Sequence, residues 1–579
     1  MTNFTECAIR YMNNASLIAR WNYSGPVRSL EPNQSTQITV AGCNAVCGTA
    51  PDYYPWSQSS STITTWILPV IGILLQAPFE SNAFWRTMLA IVRWVGSPMA
   101  SLSYILWNIK VTGTCALMVD MSVPYNAYPL CEESHFASMR DSMYILMNMN
   151  QYTMKPIAMK KEAEGLLRIV LFSKDLRLKD TSSSLREVRR SLARSLRNGR
   201  RKGVVPVFIS TMWFLFSLAI SIQGAFDLIG SNPTAHDLAL GLLLSWLPVL
   251  ILSCIVDRNP IAADDIRMKL NNLIDHVCVS LQDPHIREEF FQSFEHRPEA
   301  EKMRNWVVRI NRVTDFIRGS FFIDFAGQGR IRWHYGCAHP ILCDIEASYV
   351  AARGRNWLEN EEEARNNLVL GSVDEGLLWF DFRELWQITA AIATVSCTIL
   401  GAFILSYFTP TVGLGCRSGG YLIFAIIAFF VLIGELLIWW LTDEQQQQFL
   451  KHWLQSHVDT LHELTFRQWA NGFLLFLETF NTAWIIYIVL SQTFGAFVTC
   501  DCQCSIWSKI GGYMDLSQWD FTHVPSVTTY WRLGTILSTV VMGIGMIYIV
   551  IEWCIQSHLS TTNYEESLRG LRLTRRFRR

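Results

Sequence analysis

The chain has 579 residues, half of them hydrophobic, with 22 Trp, 32 Phe and a mean hydropathy of +0.18. Such a composition lies outside the range of ordinary soluble enzymes and places the chain among membrane proteins. Lys plus Arg balance Asp plus Glu at 49 each, so no net charge points to nucleic acid, and the 15 Cys lack the spacing of a small disulfide scaffold.

Residues 1–61 hold no continuous apolar run, so no cleavable signal sequence is read and the first apolar stretch is expected to do the targeting. This tail carries four glycosylation acceptors, Asn3, Asn14, Asn22 and Asn33, each followed two residues later by Ser or Thr. Elsewhere only Asn232-Pro233-Thr234 has the ends of an acceptor, and it has the forbidden Pro between them. The clustering reads as a glycosylated lumenal or extracellular segment, in which an oxidising environment lets Cys43 and Cys47 close the tail.

A first span is expected at 62–78, short and kinked by Pro69. Residues 79–202 read as a cytoplasmic basic region, and within it 97–119 is an interfacial or membrane-embedded segment that does not cross. Near its end Leu185, Val188, Leu192 and Leu196 recur at helical spacing, with Arg186, Arg189, Arg190, Arg194 and Arg197 largely on the remaining surface. That pattern suits an in-plane helix whose arginines face anionic headgroups, each contributing about 1 kcal/mol. It suits equally a solvated basic linker that only enforces topology.

Spans are expected at 203–230 and 237–256, followed by a mostly helical cytoplasmic domain at 257–384. The runs at 385–408 and 420–441 make a hairpin around TPTVGLGCRSGG, each long enough to cross a hydrocarbon core as a helix of roughly 20 residues. A cytoplasmic helix at 442–470, a span at 471–498, an outer Cys loop at 499–530, a span at 531–555 and a basic cytoplasmic tail at 556–579 complete the chain. The predicted fold class is all-α, a multi-pass transmembrane bundle of about seven spans, amino terminus outside and carboxyl terminus inside. With this threading the inner segments carry 43 Lys and Arg and the outer segments 5, in keeping with the excess of positive charge on the cytoplasmic side.

At GQGRIRWHYGCAHPIL, residues 327–342, and at GLGCRSGGYLIF, residues 413–424, the sequence resembles an uncharacterised family of multi-pass integral membrane proteins of filamentous fungi. The resemblance runs through the large inner domain and the central hairpin. It implies the architecture and a fungal setting, and brings no site residue with it.

Three carboxylates lie in apolar runs: Glu435, Glu478 and Glu552. A charge in hydrocarbon costs several kcal/mol unless paired, hydrated or neutralised, so Glu435 and Glu478 are candidates for a proton or cation site, with Asn481 as a polar neighbour. The alternative is structural glue between helices, which fits Glu552 at the end of its span. His334, Cys337, His339 and Cys343 offer zinc donors at a spacing that matches no common zinc module, and Pro340 suits a structural turn instead. Cys416 and the cluster Cys500, Cys502 and Cys504 fall on outer loops that a disulfide would staple together. No nucleotide-binding loop, nucleophile elbow or His-Glu-x-x-His is present, and no cofactor is expected.

These observations leave three functions: transport or a channel built on the intramembrane carboxylates, a membrane scaffold or sensor, and a membrane enzyme acting on a lipid or hydrophobic metabolite. The expected partners are a bilayer with anionic headgroups at its inner face and a cytoplasmic protein or a second copy of the chain. Glycosidase treatment of the intact protein should increase its gel mobility; no shift would contradict an outer tail.

Overall fold

The computed structural model describes residues 4–26, 36–75, 84–126, 131–155, 160–174, 176–179, 183–200, 204–228, 232–257, 262–294, 300–330, 336–350, 354–371, 382–409, 411–442, 460–506, 512–516 and 525–577. It is mostly helical, and among the described residues seven helices are long and apolar enough to cross a membrane. The chain divides into two compact units, one made of 1–103, 203–252 and 389–547, the other of 104–202, 253–388 and 548–579.

The seven long helices differ in one member from the expected set. The segment expected at 97–119 is a continuous 24-residue helix, Pro98–Met121, and belongs to the seven by length and composition. The expected first span is a helical run from Trp56 to Leu75 built of two α-helical pieces around a π-turn, Ile63–Ile67. Pro69 accounts for the break: it has no N–H to return to Thr65, and the Leu68 N–H reaches back five residues to Ile63.

In the first unit, the helices keep large apolar side chains on their outer faces. Phe208, Ile209, Met212, Trp213, Phe216 and Ile220 are exposed on Val204–Gln223, and Ile536, Val540, Ile544 and Ile547 on Pro525–Ser560. A hydrocarbon solvent has no quarrel with such a surface, and helix contacts there depend on close approach and interhelical hydrogen bonds. Phe382–Phe408 meets Pro525–Ser560 in this way, where a Cβ on Gly401 would strike the Gly534 carbonyl and the Ser538 hydroxyl. Ser538 Oγ donates to the Thr398 carbonyl at 2.9 Å.

The two ends of this unit's sequence fold into one cap. Strand Gln37–Thr39 pairs antiparallel with Tyr513–Asp515, and Ala8, Tyr11, Ile38, Cys43, Cys500, Met514 and Leu516 form a shared buried cluster. Three disulfides lock it: Cys7 to Cys47, Cys43 to Cys500, and Cys416 to Cys502. The tail is therefore not closed by Cys43 with Cys47. Those residues sit one helical turn apart on Val40–Cys47, and each reaches a different partner, on the helix Phe4–Met12 or on the late loop. The Cys504 Sγ donates to the Asp501 and Ile506 carbonyls.

The second unit is a helical domain larger than the expected 257–384, since it takes in 104–202 and the carboxyl-terminal helix Tyr564–Phe577. Its small sheet pairs Tyr152–Met154 with Phe322–Phe325. Buried arginines knit it together. Arg575 donates to Asp120 at 2.6 Å, Arg365 to Glu361 at 2.7 Å, and Arg168 to Asp344 at 2.7 Å. Helix Leu185–Asn198, capped by Ser184 and Glu187 in a reciprocal box, packs on His135–Met149. The headgroup-facing arrangement fails for Arg189 and Arg197, which are buried: Arg189 donates to the Val170 and Ser173 carbonyls, and Arg197 pairs with Asp141 at 2.6 Å. Arg190 and Arg194 meet Glu132, and Arg186 donates to the Glu133 carbonyl. Protein acceptors thus engage arginines that the linear pattern offers equally to lipid headgroups and to solvent.

Cys43→Ala and Cys500→Ala should each destabilise the protein by about 2–5 kcal/mol, and the double variant by no more than either alone. Additive losses in thermal unfolding would show that the two thiols act separately.

Candidate functional site

The site begins with a short helix that no hydropathy scan selects. Phe84–Gly96 is amphipathic, with Thr87, Ala90, Arg93, Trp94 and Gly96 buried and Phe84, Trp85 and Leu89 exposed. It ends at Gly96; Ser97 interrupts the helical backbone, and a new helix starts at Pro98, which has no N–H to continue the ladder. A helix break buried among long apolar helices must satisfy its carbonyls from side chains. Asn481 Nδ2 donates to the Gly96 carbonyl at 2.7 Å, Thr482 Oγ1 to that of Val92 at 2.8 Å, and Ser97 Oγ to that of Arg93 at 2.8 Å.

The partner helix is Thr460–Phe494, which packs antiparallel on Cys416–Thr442. Along it Leu474, Glu478, Asn481, Ile485, Ile488 and Gln492 recur at spacings of three and four, and all are buried. A Cβ on Gly96 would strike the Glu478 carbonyl, so only glycine lets the short helix come this close. Asn481 lies midway along the 26-residue apolar stretch Trp469–Phe494, which sets the helix break at the middle of that stretch.

Here Arg93 bridges two carboxylates from two different helices. Its Nη2 donates to Glu435 Oε2 at 2.7 Å and its Nη1 to Glu478 Oε1 at 3.0 Å, and the side chains are 5%, 1% and 3% exposed for Arg93, Glu435 and Glu478. Each terminal nitrogen serves a different carboxylate, one prong apiece. A guanidinium stays charged at any physiological pH, so what such a bridge can change is the protonation of its acids. Toward the cap, buried Phe424, Ala428, Ile485 and Ile488 separate this polar layer from a second one, where Gln492 Nε2 donates to Tyr421 Oη at 2.6 Å.

Of the residues singled out by sequence, Glu435, Glu478 and Asn481 come together. Glu552 belongs to the second unit and accepts from Gln556 at 2.9 Å. Asn14 and Asn22 are exposed at the ends of the helix Ala15–Trp21, where Asn14 caps the first turn; Asn3 and Asn33 lie outside the described residues. His334 also lies outside them. Among the described residues Cys337, His339 and Cys343 do not gather as a set of three: Cys343 Sγ lies 3.3 Å from His339 Nε2, but Cys337 does not join them, and burial pushes the Cys337 thiol up to about 12. Three cysteines that do gather, Cys43, Cys47 and Cys500, are spent in disulfides. Sequence reasoning missed Arg93, which falls in the basic region 79–202 and enters there only as one of the 43 inner Lys and Arg. The available signal was its place in the apolar run MLAIVRWV, the same feature that marked Glu435.

No family model, curated protein or solved structure matches the chain.

Arg93→Ala should cost about 3–5 kcal/mol, because it strands two buried carboxylates. Gly96→Leu should disrupt the same contact by displacing the short helix. Wild-type thermal stability in either variant would argue against a buried bridge.

Proposed function

We propose that this is a multi-pass membrane transport protein in which Arg93, Glu435 and Glu478 form a proton-responsive site. The observation that carries the reading is the convergence of two carboxylates on one buried guanidinium beside a mid-helix break. Interrupted helices at mid-depth are tolerated in membranes where they line a binding region, and transport proteins build substrate and ion sites there. Protonating either carboxylate releases one prong of Arg93 and leaves the other, which gives the three helices two arrangements of comparable stability.

Hydrogen bonds within the cap support the threading. The Asp52 and Tyr54 N–H groups donate to the Val498 and Phe494 carbonyls, and Leu414 N–H to that of Ser505, so these segments of the cap share one side. The chain therefore crosses an even number of times between residues 55 and 411. Among the described residues five helical runs are available there: Trp56–Leu75, Pro98–Met121, Val207–Phe226, Thr234–Val256 and Leu385–Phe408. Pro98–Met121 is the one to leave out. It carries Asn108, Lys110 and Thr112 in its middle, and Asn150 Nδ2 donates to Asn108 at 3.1 Å. Seven crossings remain, with the disulfide-bonded, sequon-bearing cap outside and the carboxyl terminus inside.

Purified protein in liposomes should carry protons or a solute coupled to them, and Glu435→Gln or Glu478→Gln should reduce that flux by tenfold or more. Unchanged flux in both variants would remove the carboxylates from the mechanism. A scaffold or sensor role is the second reading, favoured by the separately stapled cap, and predicts no flux at all.

A further inference from the structure

We infer that Glu435 and Glu478 are built-in stand-ins for a substrate, and that the ligand of Arg93 is a small organic anion bearing a carboxylate. The inference rests on the transport reading and adds the substrate class to it. A guanidinium presents its donors as a fork that matches a planar two-oxygen anion, and such forks usually take one carboxylate with both prongs. Arg93 does not: its two terminal nitrogens are divided between Glu478 at 3.0 Å and Glu435 at 2.7 Å. The fork is thus divided between two internal carboxylates. An incoming carboxylate that takes both nitrogens needs both glutamates to let go, and neutralisation by a proton on each is the chemistry that does this.

The exchange balances. Two protons pass from water to the Glu435 and Glu478 carboxylates, the two charge-assisted hydrogen bonds to Arg93 break, and two form to the substrate carboxylate. Net, two protons and one monoanion enter together, so each loading step adds one positive charge to the site. The helix break loosens this point of the backbone, because the Gly96 carbonyl is held by the Asn481 side chain and not by a continuing helix.

The ionisable groups on the three packed helices are few. Phe84–Gly96 carries Arg86, which is exposed, and Arg93. Cys416–Thr442 carries Glu435 and, at the cap end, Tyr421 and Arg417, whose Nη2 donates to Tyr54 Oη at 3.3 Å; Asn232–Leu243, which also packs on Thr460–Phe494, brings His236 and Asp237 to that same end. Thr460–Phe494 carries Glu478 and, about three turns or more before it, His462, Glu463 and Arg467. The two carboxylates on Arg93 are the groups placed to couple its release to pH.

The full-length protein in liposomes, given an inward proton gradient, should take up radiolabelled lactate at several times the rate of protein-free liposomes. An inside-negative potential should accelerate uptake, as the added positive charge requires. Arg93→Ala should lose this uptake, and the double variant Glu435→Gln, Glu478→Gln should still exchange lactate while losing its response to the gradient. Retained elution of each variant as a monodisperse species guards against misfolding. Uptake of inorganic phosphate in place of lactate, or uptake that survives Arg93→Ala, would overturn the assignment. Proton or cation flux without uptake of either anion would overturn the substrate class and leave the transport reading standing. No flux of any kind would sink both.

Discussion

One guanidinium holding two carboxylates away from water is the constraint on which the first unit depends. Arg93, Glu435 and Glu478 come from three helices, and each is destabilising in an apolar interior without the others. Their meeting fixes how deep the helix Phe84–Gly96 enters, and the requirement for glycine at position 96 fixes how close. Asn481 then completes the fit by satisfying the Gly96 carbonyl that the helix break exposes, and Thr482 adds a hydrogen bond to the Val92 carbonyl one turn earlier. Buried polar groups of this kind add little stability over well-packed apolar residues, so their presence here is better explained by what they do than by what they hold.

The cap answers a different problem. Short helices and a three-residue strand cannot bury enough surface to stay folded alone, and three disulfides plus a shared cluster around Ile38 and Cys43 replace what the small core lacks. In joining residues 36–55 to 411–416, 494–506 and 512–516 the cap also brings distant parts of the sequence together.

Much of the architecture was legible in the sequence because long apolar runs have one physical solution in a bilayer, a helix with its backbone bonds satisfied internally. The runs at 385–408, 420–441 and 471–498 lie in helices whose apolar stretches are Leu385–Phe408, Cys416–Trp439 and Trp469–Phe494, although the third helix begins earlier, at Thr460. The two intramembrane acids were visible for the same reason, since an acid in an apolar run is conspicuous. What was hidden depends on contacts across hundreds of residues. Arg93 looks like an ordinary flanking charge until Glu435 and Glu478 stand beside it. Arg189 and Arg197 look like headgroup ligands, since a helical wheel shows the face they occupy and not the carbonyls of Val170 and Ser173 or the Asp141 carboxylate that take them. The disulfide partners Cys7 with Cys47 and Cys43 with Cys500 likewise follow from the folded cap and from no spacing.

The bridge itself is most directly tested by a double-mutant cycle between Arg93 and Glu478, read as unfolding free energy in detergent. The geometry predicts a coupling of about 0.5–3 kcal/mol, with the double variant less destabilised than the sum of the singles. Losses that add within about 0.3–0.5 kcal/mol would show that the two side chains do not touch and would contradict the account.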